Sequence, residues 1–252
     1  MARDIRTKIR RKMVEAISDY SMLSDGDQVM LAVSGGKDST AMAMLFKEIQ
    51  AKAPFNFDFS AVLLDQKQPG FNPENFQRFM DGIGIPVTIL NEDTYSIVKS
   101  KVIPGKSFCG LCSRLRRGIL YNYAHDQGFN KIALGHHRDD LNETVILNLL
   151  YGGRLASMPP KLKSDDGRNT VIRPLSYVPE QWLESLATAE NFPIIPCNLC
   201  GSQENLRRNK IKKILSKWEN DEPGIKNSLL SAQKNIRPSQ LLDKEIFDFN
   251  FG

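Results

Sequence analysis

A doubly wound parallel α/β sheet with a helical C-terminal extension is the fold class this sequence predicts, and three observations lead to it. Short apolar runs alternate with helical-period stretches from residue 28 to about residue 190. Two of the strand-to-helix junctions carry glycine beside charged residues, SGGKDS at 34–39 and GHHRDD at 135–140. Beyond Asn191 the alternation stops, and proline-interrupted and basic helical sequence follows.

The elements read in order as follows. A basic helix runs to about Tyr20. Candidate strands are Gln28–Val33, Phe57–Asp65, Val87–Asn91, Lys131–Gly135 and Thr170–Arg173, each a short apolar or β-branched run. Helices at Asp38–Gln50, Pro73–Ile83, Ser113–Gln127, Asp139–Leu150 and Pro179–Glu190 fill the gaps, with apolar residues at helical spacing. SDDGRN at 164–169 is a turn cluster, a hairpin or exposed loop. A basic helix near Glu204–Trp218 and a shorter one at Ile225–Asn235 complete the chain. The expected organisation is an N-terminal helix (1–25), an α/β body (26–190) and an extension (191–252) packed on that body.

The 252 residues suffice for a sizeable core. No apolar run approaches a membrane span, and the basic start MARDIRTKIRRK is not followed by an apolar segment, so a mature cytoplasmic protein is expected. A net charge of +5 is compatible with a polyanionic partner. The sequence does not set the oligomeric state, and a homodimer is compatible with it.

In an open parallel sheet, ligands bind beyond the carboxyl ends of the strands, where Ser34–Ser39, Asp65 and Gly135–Asp140 all fall. Gly35 and Gly36 let the backbone approach a ligand closely, and the following helix offers unpaired N–H groups to an anion. Lys37 adds a full charge, and Ser34 and Ser39 add hydroxyls. A Walker A loop needs glycine where Leu31 stands, so this is a different phosphate loop. Asp139 and Asp140 open the helix after the second loop, facing the first one, where magnesium on ATP phosphates needs oxygen ligands.

Four cysteines form two CxxC pairs, Cys109/Cys112 and Cys197/Cys200. In a cytosolic chain such pairs point to metal or redox chemistry. Their spacing suits a four-thiolate zinc site and equally a three-thiolate iron–sulfur centre with one open iron, and it does not separate the two. Arg114, Arg116 and Arg117 follow the first pair, and Arg207 and Arg208 follow the second, as basic groups suited to RNA phosphates.

SGGKDS, LDQKQPGF, CGLCSRLRRGILY, KIALGHHRDD, YGGRLASMPPKL, VIRPLSYV and IIPCNLCGSQENL, in this order, together with the ending FDFNFG, resemble the tRNA 2-thiocytidine biosynthesis family. That family belongs to the PP-loop, or N-type, ATP pyrophosphatases, which have an adenine nucleotide alpha hydrolase-like fold. The resemblance spans about Gln28–Leu206. It implies ATP-dependent 2-thiolation of cytidine 32 in the tRNA anticodon loop, by adenylation at O2 and sulfur transfer. It further implies ATP, Mg2+ and a 4Fe-4S cluster as cofactors, and tRNA and a cysteine desulfurase as partners. Carried over residue by residue, Ser34, Gly35, Gly36, Lys37, Asp38, Ser39, Asp65 and Gly135 bind the nucleotide. Lys37, Asp38, Asp139 and Asp140 serve catalysis, Cys109, Cys112 and Cys200 hold the cluster, and Cys197 is a non-ligand. Members often have tyrosine where this chain has Thr40, so no role is attached there. Two other readings share parts of the pattern. One is a PP-loop tRNA-modifying ligase of the lysidine synthetase kind, and the other a zinc-containing RNA-binding protein without ATPase chemistry.

Overall fold

Residues 28–33 read QVMLAV, a run that is buried as a strand only where both faces of the sheet are covered. In the computed structural model, which describes residues 2–101, 108–195 and 203–250, this run is β1 (Asp27–Val33). Its side chains divide by parity. Val29, Leu31 and Val33 enter one core with α1 (Ala2–Asp19), α2 (Lys37–Gln50) and α7 (Glu180–Ala189). Met30 and Ala32 enter a second core, with Leu120 and Ala124 of α5 (Phe108–Asp126).

The other strands are β2 (Phe57–Asp65), β3 (Val87–Asn91), β4 (Lys131–Leu134), β5 (Lys161–Lys163) and β6 (Thr170–Ile172). Among the described residues they form one sheet in the order β3-β2-β1-β4-β6-β5. All neighbours are parallel except β5, which runs antiparallel to β6. Strand order reverses direction at the β1/β4 pair, so the loops after these two strands diverge and leave a crevice between them. This is the expected doubly wound class.

Three local features were not expected. A short helix, α4 (Thr94–Lys101), follows β3. Its β-branched sequence TYSIVKSK hides it, although Asp93 caps it by accepting from the Ser96 amide at 3.0 Å. The three-residue β5 is too short for alternation to register, although the hairpin that it forms with β6, with 164–169 as its tip, is one of the two forms expected for that turn cluster. Helix α5 begins at Phe108 rather than Ser113, so Cys109 and Cys112 stand one turn apart on one helix.

Helix α1 lays Ile9, Met13 and Ala16, all fully buried, onto the body. Its Arg6 and Arg10 each reach Glu48 of α2 at 2.7 Å, so these two basic groups are tied to the fold. At the amino edge of the sheet a buried Lys131–Asp27 pair is completed by the Ser24 amide and the Asn130 side chain, which satisfy the carboxylate. Helices α3 (Glu74–Gly82) and α6 (Arg138–Tyr151) complete the body. In the extension, α8 (Gln203–Asp221) packs Ile211 and Leu215 against Val145 and Ile146 of α6, and α9 (Ile225–Lys234) adds Leu229 to that cluster. No helix among the described residues is long and apolar enough to cross a membrane.

Candidate active site

The first loop is shaped by its own hydroxyls. The Ser34 amide donates to Ser39 Oγ at 3.0 Å, the Ser34 and Ser39 hydroxyls lie 3.1 Å apart, and Thr40 Oγ1 donates to the Gly36 carbonyl at 2.8 Å. Gly35 has φ +73°, a left-handed conformation suited to glycine. Gly36 is the N-cap of α2 and supplies no side-chain cap, so the first amides of the helix are available to an anion. The chain segment before the second cysteine pair crosses this loop. The Ile195 amide donates to the Gly35 carbonyl at 2.9 Å, and a Cβ on Gly35 would lie 2.5 Å from the Ile195 side chain.

The second loop meets the first backbone to backbone: a Cβ on Gly135 would lie 3.0 Å from the Ser39 amide nitrogen. Next, His136 accepts from Arg173 Nε at 3.2 Å. Burial, with the Arg173 charge beside it, lowers the His136 pKa to about 4. His137 caps α6. Its Nδ1 accepts from the Asp140 amide while the Asp140 carboxylate accepts from the His137 amide, a reciprocal capping box. The other ring nitrogen, Nε2, lies 3.4 Å from Asp140, 3.9 Å from Asp38 and 4.0 Å from Glu180.

Asp139 and Asp140 have different surroundings. Asp139 is buried, ion-paired with Arg138 (3.2 Å) and Lys226 (2.8 Å), and accepts from the Glu180 amide at 2.9 Å. Burial opposes its ionisation, but Arg138 and Lys226 prevail and hold its pKa at about 2. It joins α6 to α7 and α9. Asp140 faces the phosphate loop. Asp38 Oδ1 is buried there with no hydrogen-bond partner, and burial, reinforced by Asp140 and opposed by His137 and Lys37, raises the Asp38 pKa.

Lys37 Nζ lies 3.0 Å from Glu180 and 3.4 Å from Asp38. Burial alone would lower its pKa, but Asp38 and Glu180 raise it, so the ammonium stays charged. Glu180 Oε1 also takes Lys212 Nζ of α8 at 2.7 Å. Burial disfavours the Glu180 carboxylate, yet Lys212 and Lys37 lower its pKa overall. Neither Glu180 nor the inward use of Lys212 was legible. Glu180 reads as an ordinary first-turn acid after Pro179, and Lys212 as one of several basic residues.

Arg208, expected on the RNA side, turns inward, 3.5 Å from both Asp140 and Glu143. Ile211 and Leu215 dictate this, because 208, 211, 212 and 215 share one helical face. Arg114, Arg117 and Arg207 are exposed and Arg116 is half-buried. Arg207 stacks over the Tyr151 ring at 4.8 Å. Lys210, Lys213 and Lys217 line a groove along α8. Asp65, at the end of β2, is engaged by the Lys67 amide and ammonium at 2.7 and 2.9 Å.

Burial pushes the Glu143 pKa up to about 7, with Arg208 opposing and Asp140 adding to the rise. The folded chain thus holds this proton more tightly than the unfolded one. The stability it confers is lost as pH rises from the ordinary value of 4.5 through about 7. Glu143→Gln is expected to remove that slope. Urea midpoints of the wild type should fall relative to the variant between about pH 5 and about pH 8. Parallel midpoints would contradict the assignment.

Cys112 Sγ lies 3.1 Å from Gln66 Oε1, directly after β2, on the same sheet edge as both loops. Cys197, Cys200 and the Cys109 side chain lie outside the described residues. Among the described residues no group of three or more His, Cys, Asp or Glu is arranged to hold a metal ion.

A family model described as a PP-loop domain matches residues 5–218. The chain is similar to the tRNA-cytidine(32) 2-sulfurtransferase of Tolumonas auensis, 54% identical over 245 residues, covering 97% of this chain and 81% of the relative. It is also similar to that of Bdellovibrio bacteriovorus, 52% identical over 242 residues, covering 96% of this chain and 93% of the relative. Among solved structures, the U34-tRNA thiolase NcsA from Methanococcus maripaludis with its 4Fe-4S cluster matches with a TM-score of 0.75. That match has 22% identity and covers 94% of this chain and 82% of that one, a likeness of fold.

Proposed function

Because the chain belongs to the PP-loop family and, within it, to the tRNA-cytidine(32) 2-sulfurtransferases, we propose that it replaces O2 of cytidine 32 in tRNA by sulfur at the expense of ATP. The observation that carries this reading for the chain's own residues is that cations and carboxylates stand side by side around the SGGKDS loop. Lys37, Lys212 and the start of α2 supply positive charge. Asp38, 3.4 Å from Lys37, and Asp140 supply negative charge. A phosphate chain with a bound divalent cation has that pattern of charge.

In this reading Ser34, Gly35, Gly36, Lys37 and Ser39 cradle the ATP phosphates, with Gly135 leaving room and Asp65 at the rim. Asp38 and Asp140 are the residues that would hold Mg2+, a fit supported by Asp38 Oδ1, which is buried without a hydrogen bond and, among the described residues, has only the Lys37 ammonium at 3.4 Å and the His137 ring at 3.9 Å as ion-pair neighbours, and the ion would neutralise phosphate charge. Asp139 is the orientation group, fixing the start of α7 through the Glu180 amide. Cytidine O2 attacks the α-phosphorus and pyrophosphate departs, leaving O2 as an adenylate. A sulfide-level nucleophile at C2 then expels AMP. Lys37 stabilises the charge that develops on the leaving pyrophosphate.

Cys109, Cys112 and Cys200 are the residues that would hold a 4Fe-4S cluster, which would supply the sulfur-transfer chemistry. The placement of Cys112 on the sheet edge that carries the phosphate loop supports this. Residues 26–190 form the nucleotide-binding domain, 1–25 a helix packed on it, and 191–252 the extension that brings in Cys200 and the basic groove. Arg114, Arg116, Arg117 and Arg207 contact the tRNA backbone, while Arg208 reaches it from the site. The sulfur comes from a cysteine desulfurase, and the enzyme works in the cytoplasm. Nucleoside analysis of tRNA from a strain deleted for its own enzyme tests the function. 2-Thiocytidine should return when this chain is supplied, and tRNA that stays unthiolated would overturn the reading.

A further inference from the structure

One carboxylate oxygen, Glu180 Oε1, receives two ammoniums, Lys37 at 3.0 Å and Lys212 at 2.7 Å. Lys37 also lies 3.4 Å from Asp38, while among the described residues the ion pair with Glu180 is the one that Lys212 makes. Lys212 does not arrive there by chance reach of a flexible side chain. Its neighbour Ile211 is fully buried and Leu215 nearly so, which seats this turn of α8 against α6 and directs residue 212 at the phosphate loop. An ammonium has three donors, and the Lys212 side chain is 45% exposed, so contact with Glu180 leaves donors for a further anion.

We propose that Lys212 is a second phosphate-binding cation of the nucleotide site, taking the β- and γ-phosphates of ATP together with Lys37. This rests on the reading of SGGKDS as the ATP loop. It makes the nucleotide site a joint product of the α/β body and the extension. The helix that follows the second cysteine pair must be docked for ATP to be held fully.

Calorimetric titration of the full chain with ATP, AMP and inorganic pyrophosphate, in the presence of magnesium, tests the proposal. Lys212→Ala should weaken ATP and pyrophosphate by about tenfold or more, as expected for loss of a charged hydrogen bond, and leave AMP unchanged. Lys212→Arg, which keeps the charge, should bind ATP within about threefold of the wild type. If Lys37→Ala loses ATP affinity while Lys212→Ala keeps it, or loses only affinity for tRNA, Lys212 is no phosphate ligand and the ATP loop stands. Normal ATP binding by both variants removes the loop assignment and the proposal together. Equal loss of ATP and AMP by Lys212→Ala also overturns it, because AMP lacks the phosphates in question.

Discussion

Lys37→Ala is expected to lower 2-thiocytidine formation by about a hundredfold to a thousandfold, the usual cost of deleting one preorganised group that stabilises developing charge. The fold should survive. Lys37 sits in the crevice with its side chain 23% exposed, outside the hydrophobic cores. Glu180 is not orphaned by the change, because Lys212 remains 2.7 Å away. Single-turnover thiolation at saturating ATP separates weaker binding from a slower chemical step. A rate within about tenfold of the wild type, with an unchanged melting temperature, would remove Lys37 from the chemistry.

The second large effect separates the cysteines. Cys109→Ser, Cys112→Ser and Cys200→Ser are expected to lose both iron and thiolation. A cluster held by three thiolates becomes labile with two. Cys197→Ser should retain iron and most of the activity. A closed four-thiolate zinc site predicts a different outcome, in which all four variants lose metal alike. Iron, sulfide and zinc content with the visible spectrum of anaerobically purified variants gives a readout independent of activity. If Cys197→Ser is as poor in iron as Cys200→Ser, the open-site assignment is wrong.

What was legible in the sequence was what repeats or stands in a motif. The strand VMLAV announces itself because burial on both faces leaves no polar residue in it, and SGGKDS because glycine, lysine and hydroxyls must lie together to hold phosphate. The helix TYSIVKSK was hidden by its β-branched residues, and KLK was too short to show a period. At the site, Glu180 and Lys212 escaped notice for a physical reason. Each is an ordinary charged residue on a helix, 32 positions from the other, and gains its place only when α7 and α8 converge on the phosphate loop. The inward turn of Arg208 was hidden in the same way. Its basic neighbours suggest an outward face, but Ile211 and Leu215 set the rotation of the helix.

Gly135 bears on how this protein can change over generations. A single methyl group there would press to 3.0 Å on the Ser39 amide and 3.1 Å on its Cα. Both are main-chain atoms at the start of a buried helix, with no flexible tip to swing aside. Any side chain there makes these main-chain atoms give by a few tenths of an ångström, even though Gly135 itself touches no reacting atom. That shift is taken up by the two strand-to-helix junctions that frame the crevice. A lineage that altered this glycine would alter the spacing of the crevice before it altered any side chain that lines it.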